Sequence, residues 1–252
     1  MNAWSRFTAV AAAGCLSALI AGAASAAEIT VVASGGPLPD VLGTLMPMFE
    51  KATGNKVKIS FKGEPAIVED IKQGLPDLVI TNTEVVDELA GGGSIVGSGK
   101  TLLMISKVGI AVKAGAPKPD VSTPEKLKAA LLAAKTVGYS RGASGRHFAT
   151  VLDKLGITDA IKPKEVVVQG RPVGAAIASG EAEIGFQQVA ELRPVAGVDQ
   201  FGELPPALQK AIPYSAGIPA KAKDAQTAQA LVNFLRSEPA LEVLKKKGMD
   251  VP

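Results

Sequence analysis

Two patterns of apolar positions alternate along the first half of the chain. Residues 28–33, 56–61 and 77–81 are short runs rich in Val and Ile, which is typical of buried strands. A segment with apolar side chains every three or four residues follows each run, and this spacing predicts a helix. Three successive strand–helix units predict an α/β fold with a mostly parallel sheet that helices cover on both faces.

The second half repeats this alternation. The predicted helices lie at residues 124–134, 144–155 and 172–179, and the predicted strands at residues 136–139, 165–168 and 183–186. The glycine-rich residues 91–99 are predicted as a surface turn. The apolar run at residues 100–113 is long enough to leave one lobe and enter another. Residues 211–218 have the pattern of a returning strand, and two amphipathic helices at 224–236 and 238–247 close the chain. We therefore predict one lobe from residues 27–106 and 213–252 and a second lobe from residues 107–212.

The first 26 residues have the composition of a signal peptide. Arg6 precedes an apolar stretch at residues 7–20, and Ala24-Ser25-Ala26 is a signal-peptidase cleavage pattern. We expect an exported, periplasmic chain, and the mature sequence contains no apolar run long enough to cross a bilayer. Cys15 loosely resembles a lipobox cysteine, but the apolar stretch continues well past it, so we do not expect a lipid anchor.

Composition narrows the classes of ligand. The formal net charge is only +3, and no long cationic run suggests nucleic-acid binding. One His and one Cys do not make a usual zinc site or an internal disulfide framework, so we expect no metal and no other cofactor. Aromatic residues make up 4% of the chain, which disfavours a sugar site built on stacked rings. A small anionic ligand remains compatible with the mild positive charge.

Several runs of residues resemble the type II periplasmic solute-binding proteins, in particular the molybdate-binding-protein-like branch. They are ITVVASGG at 29–36, GLPDLVITNTE at 74–84, VGYSRGASGRHFATVLDKLGI at 137–157, ASGEAEIGFQ at 178–187 and NFLRSEPALEVLKKKGM near the C-terminus. The resemblance implies two lobes joined by a hinge around a central cleft. It also implies that the protein captures a small solute there and delivers it to an ABC permease. A cleft that opens and closes suits a monomer.

The positions that match the ligand loops of that branch differ from its pattern. The paired serines of the first loop correspond to Ser34-Gly35, and the serine-rich second loop corresponds to Lys62-Gly63-Glu64. The tyrosine of the late strand corresponds to Phe186 or Gln187. A charged second loop suits an organic carboxylate better than a molybdate-type oxyanion.

Cationic side chains are predicted at the start of a helix. Ser144 is the predicted N-cap, which puts Arg146 and His147 in the first turn, with Arg141 just ahead. Cations are unfavourable at this end of a helix dipole, but a bound anion removes the conflict. Arg171, just before a predicted helix, repeats the arrangement. The alternatives are that these arginines point into solvent and that His147 is a half-buried structural residue. The predicted ligand-binding residues are Ser34, Gly35, Lys62, Gly63, Asn82, Thr83, Arg141, Ser144, Gly145, Arg146, His147, Arg171 and Gln187.

Two functions fit these residues. The first is a periplasmic binding protein for a small anion. The second is an isomerase on the same scaffold, because aconitate isomerase resembles the molybdate-binding proteins. In that case Arg141, Arg146, Arg171 and Lys62 would hold a tricarboxylate while a base, His147 or Glu64, moves a proton. The sequence contains no G-x-S-x-G elbow and no P-loop.

Overall fold

The structure is a computed structural model that describes residues 26–252. The predicted signal peptide and Cys15 lie outside the described residues, apart from Ala26. None of the helices in residues 26–252 combines the length and the apolar character needed to cross a membrane.

Two five-stranded sheets organise the described part of the chain. The first has the order β2-β1-β3-β10-β4, and the second has the order β7-β6-β8-β5-β9. The strands of the first sheet are β1 Glu28–Ser34, β2 Lys56–Lys62, β3 Leu78–Asn82, β4 Ile95–Ser106 and β10 Ile212–Pro219. The strands of the second sheet are β5 Val108–Lys113, β6 Val137–Ser140, β7 Glu165–Val168, β8 Ile184–Gln188 and β9 Val198–Glu203.

The helices pack on these sheets. They are α1 Leu38–Thr53, α2 Glu64–Gln73, α3 Thr83–Gly91, α4 Pro124–Ala133, α5 Ala143–Leu155, α6 Thr158–Ile161, α7 Val173–Ser179, α8 Val189–Leu192, α9 Ala225–Leu235 and α10 Glu238–Lys246, with a 3-10 turn at Lys162–Lys164. We call the first sheet with α1–α3, α9 and α10 the first lobe, and the second sheet with α4–α8 the second lobe. The α/β, two-lobed fold class is confirmed.

Each sheet is mostly parallel, as predicted, because four of its five strands share one direction and a single strand runs against them. β1 pairs in parallel with β2 and β3, but β10 runs antiparallel to both β3 and β4. The second sheet repeats this pattern, with β5 antiparallel to β8 and β9. The antiparallel strands are the ones that carry the chain from one sheet to the other, so their direction follows from the crossing.

Two connections join the lobes. Lys107 separates β4 from β5, which interrupts the long apolar run at the predicted place, and residues 204–211 lead from β9 back to β10. The Gln209 side chain links these connections, because its Oε1 accepts from Val108 N at 3.0 Å and its Nε2 donates to Val108 O at 3.1 Å. The predicted lobe boundaries agree with this exchange of strands but stay a prediction.

Helix α5 shows how the second lobe positions its cleft residues. Phe148, Val151 and Leu152 are buried, as the helical spacing predicted, and the Phe148 ring stacks on Phe186 of β8 at 4.0 Å between centroids. Gly156 ends the helix with φ 65°, as predicted. In the first lobe, by contrast, the predicted turn at 91–99 is wrong in its second half, because β4 begins at Ile95.

Candidate functional site in the cleft between the lobes

Two adjoining cavities lie where the first lobe faces α5 of the second. The larger has a volume of about 830 Å³ and the smaller about 280 Å³. Glu64, Pro65 and Asn82 of the first lobe and Ala143 and Arg146 of the second line both cavities. Because open α/β sheets bind ligands beyond the carboxyl ends of their strands, this cleft is the candidate site.

The ends of β1 and β2 form one wall of the smaller cavity. Ser34, Gly35, Lys62 and Gly63 all line it, as their predicted roles require. Ser34 is only 7% exposed, and its Oγ has no hydrogen-bond partner within the described residues. Lys62 is less available than the sequence suggested, because its Nζ lies 2.6 Å from Asp70 Oδ2 of α2.

At the end of β3, the Asn82 amide orients a carboxylate of α2 in the cleft. Asn82 precedes α3, and its Nδ2 donates a hydrogen bond to Glu64 Oε1 on the first turn of α2. The other amide atom, Asn82 Oδ1, is buried without a partner among residues 26–252. Thr83 lines the larger cavity, and its hydroxyl is hydrogen-bonded to that of Ser215 at 2.8 Å.

The predicted N-cap of α5 is wrong. The helix begins at Ala143 with Gly142 as its N-cap, and Ser144 is a buried residue inside the first turn. The reason is Gly145: a Cβ at this position would lie 1.5 Å from the Ser140 carbonyl oxygen, so the turn folds tightly back onto the end of β6. The helix therefore starts earlier than the capping pattern implied.

Arg146 is the cation that α5 brings to both cavities. Its backbone N–H donates to Gly142 O at 2.9 Å, which places it at the end of the first turn. Its side chain is exposed, and Nη1 lies 3.4 Å from Arg141 O. No carboxylate forms an ion pair with Arg146 within residues 26–252. This guanidinium is therefore a cation that a ligand in the cleft could bind.

His147 is fixed by the connection between the lobes. Its Nε2 lies 2.7 Å from the Leu208 carbonyl oxygen, so Nε2 carries the hydrogen and donates it. Nδ1 is 3.4 Å from Thr150 Oγ1. Both His147 and Thr150 line the larger cavity. The His147 side chain thus has a hydrogen-bond partner in the connection between the lobes, which agrees with a structural role. Only its Nδ1 atom is left as an acceptor.

The remaining predicted ligand residues lie away from both cavity linings. Arg171 is exposed, and both of its terminal nitrogens bond the Glu181 carboxylate, one of them at 3.1 Å. Arg141 lies exposed ahead of α5. Gln187 is buried and accepts from Val173 N at 2.8 Å, so it caps the first turn of α7.

A row of hydrogen-bonded polar side chains joins the lobes, and the sequence pattern did not predict it. The Tyr214 hydroxyl of β10 donates to Gln188 Oε1 at 3.0 Å, and Gln188 Nε2 donates to Glu191 Oε2 at 3.1 Å. Gln187 Nε2 donates to the other Glu191 oxygen at 2.7 Å. Gln188, Tyr214 and Gly36 line the smaller cavity. The sequence signal for this contact was the pair Gln187-Gln188 at the end of an apolar strand, because buried amide side chains need hydrogen-bond partners.

The hydrogen-bonded side chains of Tyr214, Gln188 and Glu191 include a carboxyl group near the site whose pKa is strongly shifted. Burial raises the pKa of Glu191 to about 7, although the amides of Gln187 and Gln188 that donate to it act in the opposite direction. Burial also raises the pKa of Tyr214 well above its ordinary value. No cluster of three or more His, Cys, Asp or Glu in residues 26–252 is arranged to hold a metal ion.

A comparison with protein families identifies the family of this protein. A family model described as bacterial extracellular solute-binding protein matches residues 29–250. The chain belongs to this family. The predicted solute-binding class is thus confirmed.

Two curated relatives are equally identical to the chain and differ in activity. Aconitate isomerase of a Pseudomonas species is 33% identical over 234 residues, which cover 88% of this chain and 87% of the relative. The molybdate-binding protein ModA of Azotobacter vinelandii is 33% identical over 251 residues, which cover 91% and 92%. The predicted resemblance to the molybdate-binding-protein-like branch is thus confirmed.

Solved structures support the fold. The substrate-binding domain assigned to a molybdenum ABC transporter of Clostridium difficile superposes with a TM-score of 0.77 at 18% identity, over 90% of this chain and 100% of that one. The periplasmic molybdate-binding protein of Azotobacter vinelandii gives a TM-score of 0.68 at 21% identity, over 89% and 100%. At these identities the likeness concerns the architecture.

Proposed function

We propose that this protein is the periplasmic binding component of an ABC transporter and that it captures a small organic carboxylate. The observation that carries the proposal is the position of Arg146, which lines both cavities at the end of the first turn of α5. A guanidinium is a strong site for a carboxylate, because it offers charge-assisted and bidentate hydrogen bonds. The predicted signal peptide and a monomeric state belong to the same proposal.

The opposite wall favours a carboxylate over a molybdate-type oxyanion. Ser34 supplies one unpaired hydroxyl, whereas the neighbouring loop supplies the Glu64 carboxylate. A compact dianion in the smaller cavity would share that space with the negative charge of Glu64. A carbon skeleton separates its charged groups and can keep them away from Glu64. The aconitate isomerase relative also bears the name of a carboxylate substrate.

A calorimetric titration with and without the cation tests this function. The ligands are citrate, succinate, molybdate and tungstate, and the variants are Arg146→Gln and Arg171→Gln. We expect a carboxylate to bind and Arg146→Gln to weaken it by about tenfold or more, the size of a lost charged hydrogen bond. Arg171→Gln removes the same charge from a residue paired with Glu181, so it should change the affinity by less than about twofold. Binding of molybdate or tungstate alone would overturn the proposal.

A second candidate is an isomerase that moves a double bond in a tricarboxylate. It is favoured by the 33% identity to aconitate isomerase and by a carboxylate, Glu64, that lines both cavities without a cationic partner in residues 26–252. Glu64 would take a proton from the carbon next to a substrate carboxylate. The electron pair of the broken C–H bond would form the new double bond as the old one shifts, and Glu64 would return the proton to the far carbon. Arg146 would stabilise the negative charge that develops in between.

Direct assay separates the two candidates. Purified protein is mixed with cis-aconitate or trans-aconitate, and the other isomer is followed by chromatography. The isomerase predicts interconversion that Glu64→Gln lowers by about a hundredfold or more while aconitate still binds. Glu69→Gln is the matched control, because Glu69 lies on the same helix as Glu64 but is exposed and lines neither cavity. Aconitate that binds without interconverting leaves transport as the function.

A further inference from the structure

The cleft presents opposite charges from its two lobes. Glu64 and Arg146 line both cavities, yet no ion pair joins them, and neither forms an ion pair with another side chain in residues 26–252. The cation adjacent in the loop, Lys62, is held by Asp70 at 2.6 Å. An anion alone would satisfy Arg146 and be repelled by Glu64.

Asn82 fixes what the Glu64 side of the cleft can bind. An ionised carboxylate only accepts hydrogen bonds, so the Asn82 amide must turn its Nδ2 towards Glu64 Oε1. Its Oδ1 then points away and is left without a partner in the described part of the chain. Glu64 forms no other side-chain hydrogen bond there, so its second oxygen is also an unused acceptor. Glu64 therefore presents an unused acceptor to the cleft, and Asn82 orients it.

The other side of the cleft supplies a donor. Arg146 of α5 lines both cavities, and a guanidinium only donates hydrogen bonds. On the first-lobe wall, beside Glu64, the buried Ser34 residue carries a hydroxyl that can also donate, and it lines the same small cavity. A buried acceptor left without a donor is unfavourable, so the ligand that best matches the site offers both kinds of group.

We propose that the ligand is a carboxylate that also carries a hydrogen-bond donor, a hydroxyl or an ammonium group, which binds Glu64 while the carboxylate binds Arg146. This inference rests on the proposed carboxylate-binding function and narrows its ligand class. Hydroxycarboxylates and aminocarboxylates have the required pair of groups. Unsubstituted dicarboxylates and tetrahedral oxyanions do not.

Ligands of matched size test the inference by calorimetry on the mature chain. One series is malate, aspartate and succinate, with both enantiomers of the first two, and a larger pair is citrate and tricarballylate. We expect at least one donor-bearing member to bind about tenfold or more tightly than its donor-free partner. Malate against aspartate distinguishes a hydroxyl from an ammonium group.

Variants locate the effect at Glu64. Glu64→Gln removes the charge at constant shape, so the preference for the donor-bearing ligand should fall to about twofold or less while succinate or tricarballylate binds at least as well as before. Asn82→Ala should reduce the same preference. Glu69→Gln changes an exposed carboxylate of α2 outside both cavity linings and should leave the preference unchanged. Circular dichroism spectra check that each variant is folded.

Each outcome has one meaning. If succinate and tricarballylate bind as tightly as their donor-bearing partners, the inference is wrong and the proposed carboxylate-binding function stands. A preference that survives Glu64→Gln also overturns it. If only molybdate or tungstate binds, the proposed function fails and the inference fails with it.

Discussion

The Tyr214 hydroxyl donates to the Gln188 amide oxygen at 3.0 Å and thereby joins the first sheet to the second. Tyr214 is 2% exposed and Gln188 is 3% exposed, so solvent hardly competes for this bond. Both residues also line the smaller cavity. The contact therefore joins the two lobes and also borders the candidate site.

Removing this hydroxyl should weaken the contact between the lobes. Tyr214→Phe keeps the ring and leaves Gln188 Oε1 without its donor, so we expect a loss of about 1–3 kcal/mol in the free energy of unfolding. A double-mutant cycle with Gln188→Met, measured by urea denaturation, isolates the contribution of the pair. Additive effects of the two substitutions would show that the bond does not stabilise the folded chain.

The Glu191 carboxyl should make stability depend on pH near neutrality. Its pKa is raised from 4.5 to about 7, so between these values the folded chain holds a proton that the unfolded chain has released. The free energy of unfolding should therefore fall as pH rises through this range, by up to about 3 kcal/mol, and level off above it. Urea denaturation at several values from about pH 5 to about pH 8 measures the slope.

A neutral side chain tests whether Glu191 causes this slope. Glu191→Gln cannot ionise, so its stability should change much less over the same range, and at the alkaline end it should lose less than the parent. Glu242→Gln is a control on the exposed face of α10 and should keep the parent slope. An unchanged slope in Glu191→Gln would assign the dependence to other groups.

The tight turn before α5 should not tolerate a larger residue. Gly145→Ala puts a Cβ 1.5 Å from the Ser140 carbonyl oxygen, whereas Gly142→Ala meets only the flexible Ser140 Oγ at 3.4 Å. We expect Gly145→Ala to lower the free energy of unfolding by about 3 kcal/mol or more, or to prevent folding, and Gly142→Ala to cost less than about 1 kcal/mol. Thermal unfolding followed by circular dichroism compares them. Equal stability would mean that the turn can relax.

His147 should matter for the connection between the lobes. His147→Ala removes the donor to the Leu208 carbonyl, which should cost about 1–2 kcal/mol of stability. Thr150→Ala is the control, since Thr150 lies beside His147 on the same cavity but does not contact Leu208. If His147→Ala abolished turnover of aconitate and left stability unchanged, His147 rather than Glu64 would be the base of the isomerase candidate.

The parts of the fold that depend on local sequence were predictable. Residues 165–168 form the predicted strand, and Gly156 ends α5 as predicted, because hydrophobic spacing and a left-handed glycine act over a few residues. The N-cap at Ser144 was wrong for a reason outside the helix, namely the contact of Gly145 with Ser140. Capping preferences do not contain information about such packing.

The residues of the candidate site also differ in how far local sequence predicts them. Ser34, Lys62 and Asn82 could be predicted from their positions after strands, because the ends of parallel strands share one edge of a sheet. Arg171 satisfied the same sequence criterion as Arg146 but is paired with Glu181, ten positions along the chain. The Tyr214–Gln188–Glu191 chain joins residues from different lobes, and a single sequence does not show which distant side chains meet.

The bonds from the Gln209 side chain to both backbone groups of Val108 have a mechanical consequence. The two connecting segments are cross-linked at one point, so neither can bend without the other. The lobes should therefore rotate as rigid bodies about a single axis through that point. A ligand that draws Arg146 towards Glu64 would then rotate one lobe relative to the other. This rotation would move the outer edges of both lobes, which is a change that a transporter could recognise.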